Sequence, residues 1–155
     1  MSKVKDGAMD TKAEVEDYLE SLLVTLRHTD VRDLSASLLQ DVCSNVCREP
    51  SLQPLSGESL HLRSASTDDG ARLDIAVDGF WGNRYQRAFF DVRVFCPLSS
   101  YYQSKSLKQC YRDNESLKKR KYEQRIRDVE HGCFSPLVFS TLGDLALYQL
   151  CLLSA

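Results

Sequence analysis

The chain has little of what marks membrane, secreted and zinc-binding proteins. No apolar run approaches the roughly 20 residues that span a bilayer, and the N-terminus lacks the apolar stretch of a signal peptide. There are six cysteines but only three histidines, and the cysteines form no Cys-X-X-Cys pair, which argues against a zinc site. We therefore expect an intracellular protein, nuclear or cytoplasmic, with reduced thiols and no membrane contact.

The length and composition predict one globular domain. The chain has 155 residues, of which 43% are hydrophobic and 27% are charged, values typical of a single domain with its own core. We expect a disordered tail at 1–10 and a single α/β domain at 11–155. Within the domain we expect a helical part at 11–47, a nuclease-like core at 48–142 and a divergent C-terminal helix at 143–155.

Apolar periodicity predicts the order of the elements as α, α, β, β, β, α, β, α. The first two helices are expected to form an N-terminal pair, interrupted at His28–Asp30. The remaining predicted elements are a weak strand at Leu60–Ala65, strands within Arg72–Asp78 and Arg87–Phe95, a helix at Leu107–Glu130, a strand at Phe134–Thr141 that Pro136 splits, and a final short helix. This order fits a mixed central sheet flanked by helices.

Two of the predicted strands each carry one aspartate among apolar residues. A Gly/Asn-containing turn joins them, which favours an antiparallel hairpin. Side chains alternate along a strand, so Phe89, Asp91, Arg93 and Phe95 share one face. A charge buried on such a face is costly without a partner or an ion, and this indicates a site.

Divalent-metal chemistry explains the two aspartates. Asp74 and Asp91 are predicted to bind one Mg²⁺, which takes one or two carboxylates together with substrate phosphate. Arg93 is predicted to clamp the phosphate. The pattern matches that of PD-(D/E)XK nucleases, an Asp followed by acid-X-Lys on the next strand, except that Arg93 replaces the lysine. The alternative is structural: Asp91 pairs with Arg93, and Asp74 pairs with a neighbouring arginine.

Two features of the predicted metal site are left open by the pattern. Lys119 or Lys121 on the long helix could replace the missing lysine in space. A third ligand could come from one of four acids: Asp33, Asp41, Glu49 or Glu58.

The predicted long helix is strongly basic. Between Lys105 and Arg127 there are nine basic and three acidic residues, although the whole chain has a net charge of −2. Such a helix is either a solvated surface or a contact for an anionic polymer. The residues predicted to bind nucleic acid are Lys118, Lys119, Arg120, Lys121 and Arg125.

Several stretches together resemble polypeptides encoded by transposable elements of animal genomes, often found beside a reverse transcriptase. They are Glu49–Glu58, Gly70–Ile75, Gly79–Trp81, Arg87–Phe95, Lys118–Arg125, Val129–Gly132 and Pro136–Ser140. The resemblance covers about residues 27–141 and departs from the family pattern after Thr141, as in a truncated or spliced copy. It implies a restriction-endonuclease-like fold.

The sequence therefore predicts a Mg²⁺-dependent endonuclease domain of a retrotransposon-type element that hydrolyses DNA phosphodiester bonds. The alternative is an inactive domain of the element-derived protein that binds DNA or RNA, or that serves a structural role.

Overall fold

The computed structural model describes residues 12–53, 72–82 and 85–143. Its elements are α1 (Lys12–Gln40), β1 (Ser44–Arg48), β2 (Ile75–Asp78), β3 (Arg87–Phe95), α2 (Leu107–Arg125), a π-helical turn (Ile126–Glu130) and β4 (Cys133–Ser140). The described part is thus an α/β fold. The predicted tail at 1–10, the weak strand at 60–65 and the helix after residue 143 lie outside the described residues.

The sheet is mixed and has the order β1-β2-β3-β4. The first three strands pair antiparallel, and β3 pairs parallel with β4. The hairpin predicted for the two aspartate strands is confirmed, with Ile75 opposite Phe90 and Asp78 opposite Arg87. A parallel pair needs a crossover connection, and α2 supplies it between β3 and β4.

The predicted N-terminal helical pair is wrong, because α1 is one continuous helix. Its hydroxyl side chains do not interrupt it: Thr25 and Thr29 donate to the carbonyls four residues earlier, at 3.0 Å and 3.3 Å. These residues therefore satisfy their hydroxyls within the helix instead of competing with its backbone bonds. His28 contacts the backbone of β3, as described below.

The end of the predicted helical part at 11–47 is also wrong, because α1 stops at Gln40 and residues 44–48 form strand β1. α1 ends at Gln40, and the amide of Cys43 closes the last turn by donating to the carbonyl of Leu39 at 2.8 Å. Asn45 then adopts a positive φ of 51°, and the pairing with β2 shifts register between Ser44 and Cys47. Sheet pairing supplies backbone partners here, which outweighs the helical spacing of the apolar residues.

The helices cover opposite faces of the sheet, as the strand alternation predicts. Phe90, Val92 and Val94 share a buried cluster with Ala36 and Leu39 of α1. The other face of β3 packs against α2, with Phe89 beside Tyr122 and Ile126, and Phe95 beside Tyr111. Asp91 and Arg93 of β3 therefore face α2.

β3 and α2 run in opposite directions and contact each other at regular intervals. Two strand residues span about 6.6 Å and four helical residues about 6 Å, so alternate positions of β3 meet successive turns of α2. The contacts are Phe95 with Tyr111, Arg93 with Asn114, Asp91 with Lys118, and Phe89 within the cluster of Tyr122. This agreement in spacing between β3 and α2 places Lys118 next to Asp91.

The connection from α2 to β4 is tightly packed. His131 adopts the left-handed conformation (φ 52°) after the π-helical turn, and Gly132 follows it. A Cβ on Gly132 would lie 2.7 Å from the backbone oxygen of Arg87, so only glycine fits. β4 then continues through Pro136 without the expected split; the strand lies at the sheet edge, where proline is tolerated.

Candidate active site

A polar cleft of about 260 Å³ lies between α1, α2 and the part of the sheet where β2 begins. It is lined by His28, Glu49, Arg72, Leu73, Asp74, Asp91, Lys118, Lys121 and Tyr122. Seven of these nine side chains are ionisable acids, cations or imidazole, and the two predicted metal ligands are among them. The cleft is therefore the place where the chemistry predicted from the sequence would occur.

Asp74 lies at the point where the chain of β2 separates from β3. The last paired residue before it is Ile75, opposite Phe90. Beyond that pair, Asp74 Oδ2 accepts a hydrogen bond from the buried amide of Val92 at 2.6 Å. Because a buried amide needs an acceptor, this carboxylate takes the role of the missing strand backbone.

His28 of α1 completes the same arrangement from the other side. Its Nε2 lies 3.1 Å from the carbonyl oxygen of Val92 and 3.3 Å from Asp74 Oδ2. Both main-chain groups of Val92 are thus satisfied by side chains of the cleft. The hydrogen bond that His28 donates to Asp74 raises the pKa of His28, which favours the charged imidazolium.

Asp91 is buried beneath α2 and faces a lysine. Lys118 Nζ lies 2.5 Å from Asp91 Oδ2, with side-chain exposures of 17% and 7%. Burial raises the pKa of Asp91; Lys118 opposes this shift, and the nearby charge of Asp74 adds to it. Asp91 and Asp74 both line this cleft.

Glu49 forms the wall of the cleft next to Arg72. Its carboxylate pairs with Arg32 Nη1 at 2.5 Å and with Arg72 Nη1 at 3.4 Å, and its amide donates to the carbonyl of Asp74 at 2.8 Å. Glu49 also has a positive φ of 51°. The backbone there is held against Asp74, so the acid is fixed beside the cleft rather than lying free in solvent.

The other proposed third ligands are placed elsewhere. Asp33 is on α1 and pairs with Arg32 and Arg48, at 3.0 Å and 3.6 Å, and the Arg32 guanidinium lowers the pKa of this carboxyl. Asp41 follows the end of α1 and does not line the cleft. Glu58 lies outside the described residues. Of the described candidates, Glu49 alone lines the cleft.

The structure places Arg93 outside the lining of this cleft, and its role as a phosphate clamp stays a prediction. Its Nε lies 3.4 Å from Asn114 Oδ1, and the residue borders a different groove together with Ser21 and Val24. Two residues along β3 move a side chain by about 6.6 Å, which places Arg93 under the preceding turn of α2. The cation that meets Asp91 is Lys118, whereas the sequence pointed to Lys119 or Lys121.

The five basic residues predicted to bind nucleic acid point in several directions. Lys118 and Lys121 line the cleft, and Lys121 Nζ lies 5.0 Å from the ring centre of Tyr122. Lys119 pairs with Glu115 at 3.2 Å, and Arg125 Nη2 donates to the carbonyl of Gln53 at 2.9 Å. Arg120 is exposed. The structure thus brings two of the five together with the aspartates.

Carboxylates of the kind that a hard divalent cation prefers line the cleft. Mg²⁺ needs one or two carboxylates when waters and phosphate complete its shell, and Asp74 and Asp91 provide two. Asp91 Oδ2 is buried without a hydrogen bond of good geometry, its close neighbour being the Lys118 ammonium. Within 12–53, 72–82 and 85–143, no cluster of three or more acids, histidines or cysteines is arranged as a metal site, so the fit depends on these two carboxylates.

The roles of two residues of the cleft differ from those given by the sequence: His28 was only part of the expected interruption between two helices, and Lys118 was predicted to bind nucleic acid rather than to pair with Asp91. The sequence does hold a signal for Lys118. Counting turns of α2 against alternate residues of β3, from the aromatic contact at one end, leads from Asp91 to position 118. His28 has no such signal, because its role depends on how α1 crosses the sheet.

Comparisons with protein-family models, with curated proteins and with solved structures find no match. The relationship to transposable-element polypeptides and to restriction-endonuclease-like folds therefore stays a prediction. No helix in the described part of the chain is long and apolar enough to cross a membrane.

Proposed function

We propose that this domain is a Mg²⁺-dependent nuclease that hydrolyses phosphodiester bonds in DNA. The observation that supports this most is the meeting of two aspartates and a lysine in one cleft, with Lys118 2.5 Å from the buried Asp91. Acids that bind a metal and a cation that binds phosphate are the groups that phosphodiester hydrolysis requires.

Asp74 and Asp91 would hold the ion, and Glu49 lines the same cleft. When bound, Mg²⁺ would activate water and stabilise charge that develops on the phosphate. The α2 helix contributes the cations: Lys118 and Lys121 line the same cleft and would bind phosphates of the nucleic-acid strand.

His28 acts in this proposal as a positioning residue. It holds Asp74 Oδ2 together with the amide of Val92, so one carboxylate oxygen is committed to the fold. The second oxygen is then presented in a fixed direction, which lowers the reorganisation needed when the ion binds.

Purified protein, supercoiled plasmid and Mg²⁺ or Mn²⁺ test the proposal. We expect nicking that EDTA abolishes, that Asp91→Asn and Lys118→Gln reduce by at least about a hundredfold, and that Asp74→Asn also reduces. Leu34→Ala, on the exposed part of α1, is the matched control and should cleave as wild type does. Equal nicking by wild type and Asp91→Asn would show that the activity comes from a contaminant.

The alternative is binding of nucleic acid without hydrolysis. The ion pair between Lys118 and Asp91 favours it, because a neutralised carboxylate has less attraction for Mg²⁺. This alternative predicts salt-sensitive DNA binding that persists in EDTA, no nicking by wild type, and weaker binding after Lys121→Gln. Calorimetric titration with Mn²⁺ separates the two proposals: binding that Asp91→Asn removes supports the nuclease, and absence of binding supports the alternative.

A further inference from the structure

The edge of β3 that faces β2 is open at its far end. β2 pairs with β3 only as far as Ile75 opposite Phe90, whereas β3 continues to Phe95. The amide of Thr141 donates to the carbonyl of Phe95 at 2.9 Å, so the odd-numbered residues of β3 point their main-chain groups toward β4. The even-numbered residues point the other way. In the described part of the chain, no strand lies on that side of β3 beyond Phe90.

Val92 and Val94 therefore each present an amide and a carbonyl to this open edge. At Val92, the side chains of Asp74 and His28 bind both groups. Val94 has the same orientation, lies about 6.6 Å further along the strand, and is only 2% exposed. A buried amide and carbonyl need hydrogen-bond partners. The edge at Val94 is thus suited to a ligand that offers one donor and one acceptor.

A groove of about 300 Å³ lies along the edge at Val94. Val24 of α1 forms part of one wall, and Phe95 and Tyr102, whose ring centres are 5.1 Å apart, form part of the other. The side chain of Val94 packs toward α1, in the same cluster as Val24. Side chains directly opposite each other on neighbouring strands share a face. A ligand residue opposite Val94 would therefore place its side chain beside Val24, where an apolar group is favoured.

Arg93 gives the groove a positive charge. Its Nε lies 3.4 Å from Oδ1 of Asn114, and the hydroxyl of Tyr102 lies 3.1 Å from the same oxygen. Asn114 is buried, so this network orients the guanidinium. The described residues provide no carboxylate partner for Arg93. An oriented guanidinium that has donors to spare is suited to bind a carboxylate.

The open edge has room for the end of a chain and not for its middle. An antiparallel strand that pairs with Val94 runs toward Val92 at its carboxyl end. There the side chains of Asp74 and His28 occupy the edge, so such a strand has to stop. Its terminal carboxylate would then lie beside Arg93, whereas a parallel strand would bring its terminal ammonium there. Charge therefore favours an antiparallel strand.

We propose that this groove binds the carboxyl-terminal residue of a partner protein, a residue with an apolar side chain. Its amide donates to the carbonyl of Val94, and its carboxylate accepts from the amide of Val94 and from Arg93. The side chain lies beside Val24. Strand addition and capture of a terminal carboxylate are both recurring modes of peptide recognition. This binding is independent of any hydrolysis in the cleft.

Nuclear magnetic resonance spectra of the isotope-labelled whole chain test the proposal through the Val94 amide. The probes are pools of acetylated hexapeptides that end in leucine, valine or phenylalanine with a free carboxylate, and matched pools that end in a carboxamide. We expect the Val94 amide signal to shift with the carboxylate pools. The carboxamide pools should bind at least about tenfold more weakly, because they lack the charge-assisted hydrogen bonds.

Variants at the groove test the same binding from the side of the protein. Ser21→Trp fills the groove from α1 and should abolish the shift, whereas Thr29→Trp, exposed on α1 and outside the groove, should bind as wild type does. Arg93→Gln should weaken binding of the carboxylate pools at least about tenfold and leave binding of the carboxamide pools unchanged. A merely structural role of Arg93 would weaken both. Thermal unfolding checks that each variant folds.

Three results would overturn the inference. One is a Val94 amide signal that does not shift with any carboxylate pool. Another is equal binding of the carboxylate and carboxamide pools. The third is a shift with dinucleotides in place of peptides, which would assign the groove to nucleic acid.

Discussion

The ion pair between Lys118 and Asp91 gives the sharpest prediction for stability. Replacing Lys118 with Met keeps the bulk of the side chain and removes its charge, which leaves the Asp91 carboxylate, 7% exposed, without its cation. Breaking a buried pair in this way costs about 3–5 kcal/mol. The cleft is open to water on one side, so we expect a loss near the lower end, about 3 kcal/mol.

Three further variants test whether the loss comes from the unpaired Asp91 charge. Asp91→Asn removes the buried charge itself, so it should lie within about 1 kcal/mol of wild type, and Lys118→Met/Asp91→Asn should be more stable than Lys118→Met alone. Lys119→Met is the surface control: its pair with Glu115 is half exposed on the lysine side and should change stability by less than about 0.5 kcal/mol.

Urea denaturation at pH 7 measures these differences, and repeating it at lower pH adds a second test. Because burial raises the pKa of Asp91, its carboxylate takes up a proton at a higher pH than an exposed aspartate would. The deficit of Lys118→Met should therefore shrink as pH falls. A Lys118→Met protein as stable as wild type at pH 7, or one equally destabilised at every pH, would refute the reasoning.

Three further predictions follow from the geometry. Gly132→Ala should cost about 1–3 kcal/mol, measured by thermal unfolding, because the new Cβ meets the Arg87 oxygen at 2.7 Å. The raised pKa of His28 means that its charge stabilises the fold fully below about pH 6.5; the difference in unfolding free energy between wild type and His28→Gln should decrease as pH rises through the raised pKa. Arg93→Gln should lower stability through loss of its contact with Asn114 while any plasmid nicking persists.

The sequence predicts the centre of this fold better than its first third. β3 and α2 have strong periodicities and clear ends, and both were located correctly. α1 was divided in two because His28–Asp30 interrupts its apolar spacing, yet the helix crosses the sheet there and uses His28 as a contact. The strand at 44–48 was taken as helix, since Val42 and Val46 continue a helical spacing that sheet pairing overrides.

The candidate site was also predicted only in part from the sequence. The two aspartates were found because a charge within an apolar strand is conspicuous in the sequence. Arg93 was assigned to the site because it follows Asp91 by two residues on the same face of β3. That face packs against α2, and each turn of α2 contacts a different residue of the strand. The cation next to Asp91 is determined by helix register, which depends on packing between elements rather than on a local motif.

Asp74 has a consequence for how such domains change over time. Its carboxylate accepts from the Val92 amide, so the sheet itself requires an acceptor at this position. Under the proposed function, a descendant that lost catalysis would still be selected to keep an aspartate or asparagine there, since an alanine would leave a buried amide without a partner. Under the proposed nuclease function, Lys121, which lines the cleft, would therefore record better than Asp74 whether a given copy still works on nucleic acid, whereas Lys118 is also kept by its pair with the buried Asp91.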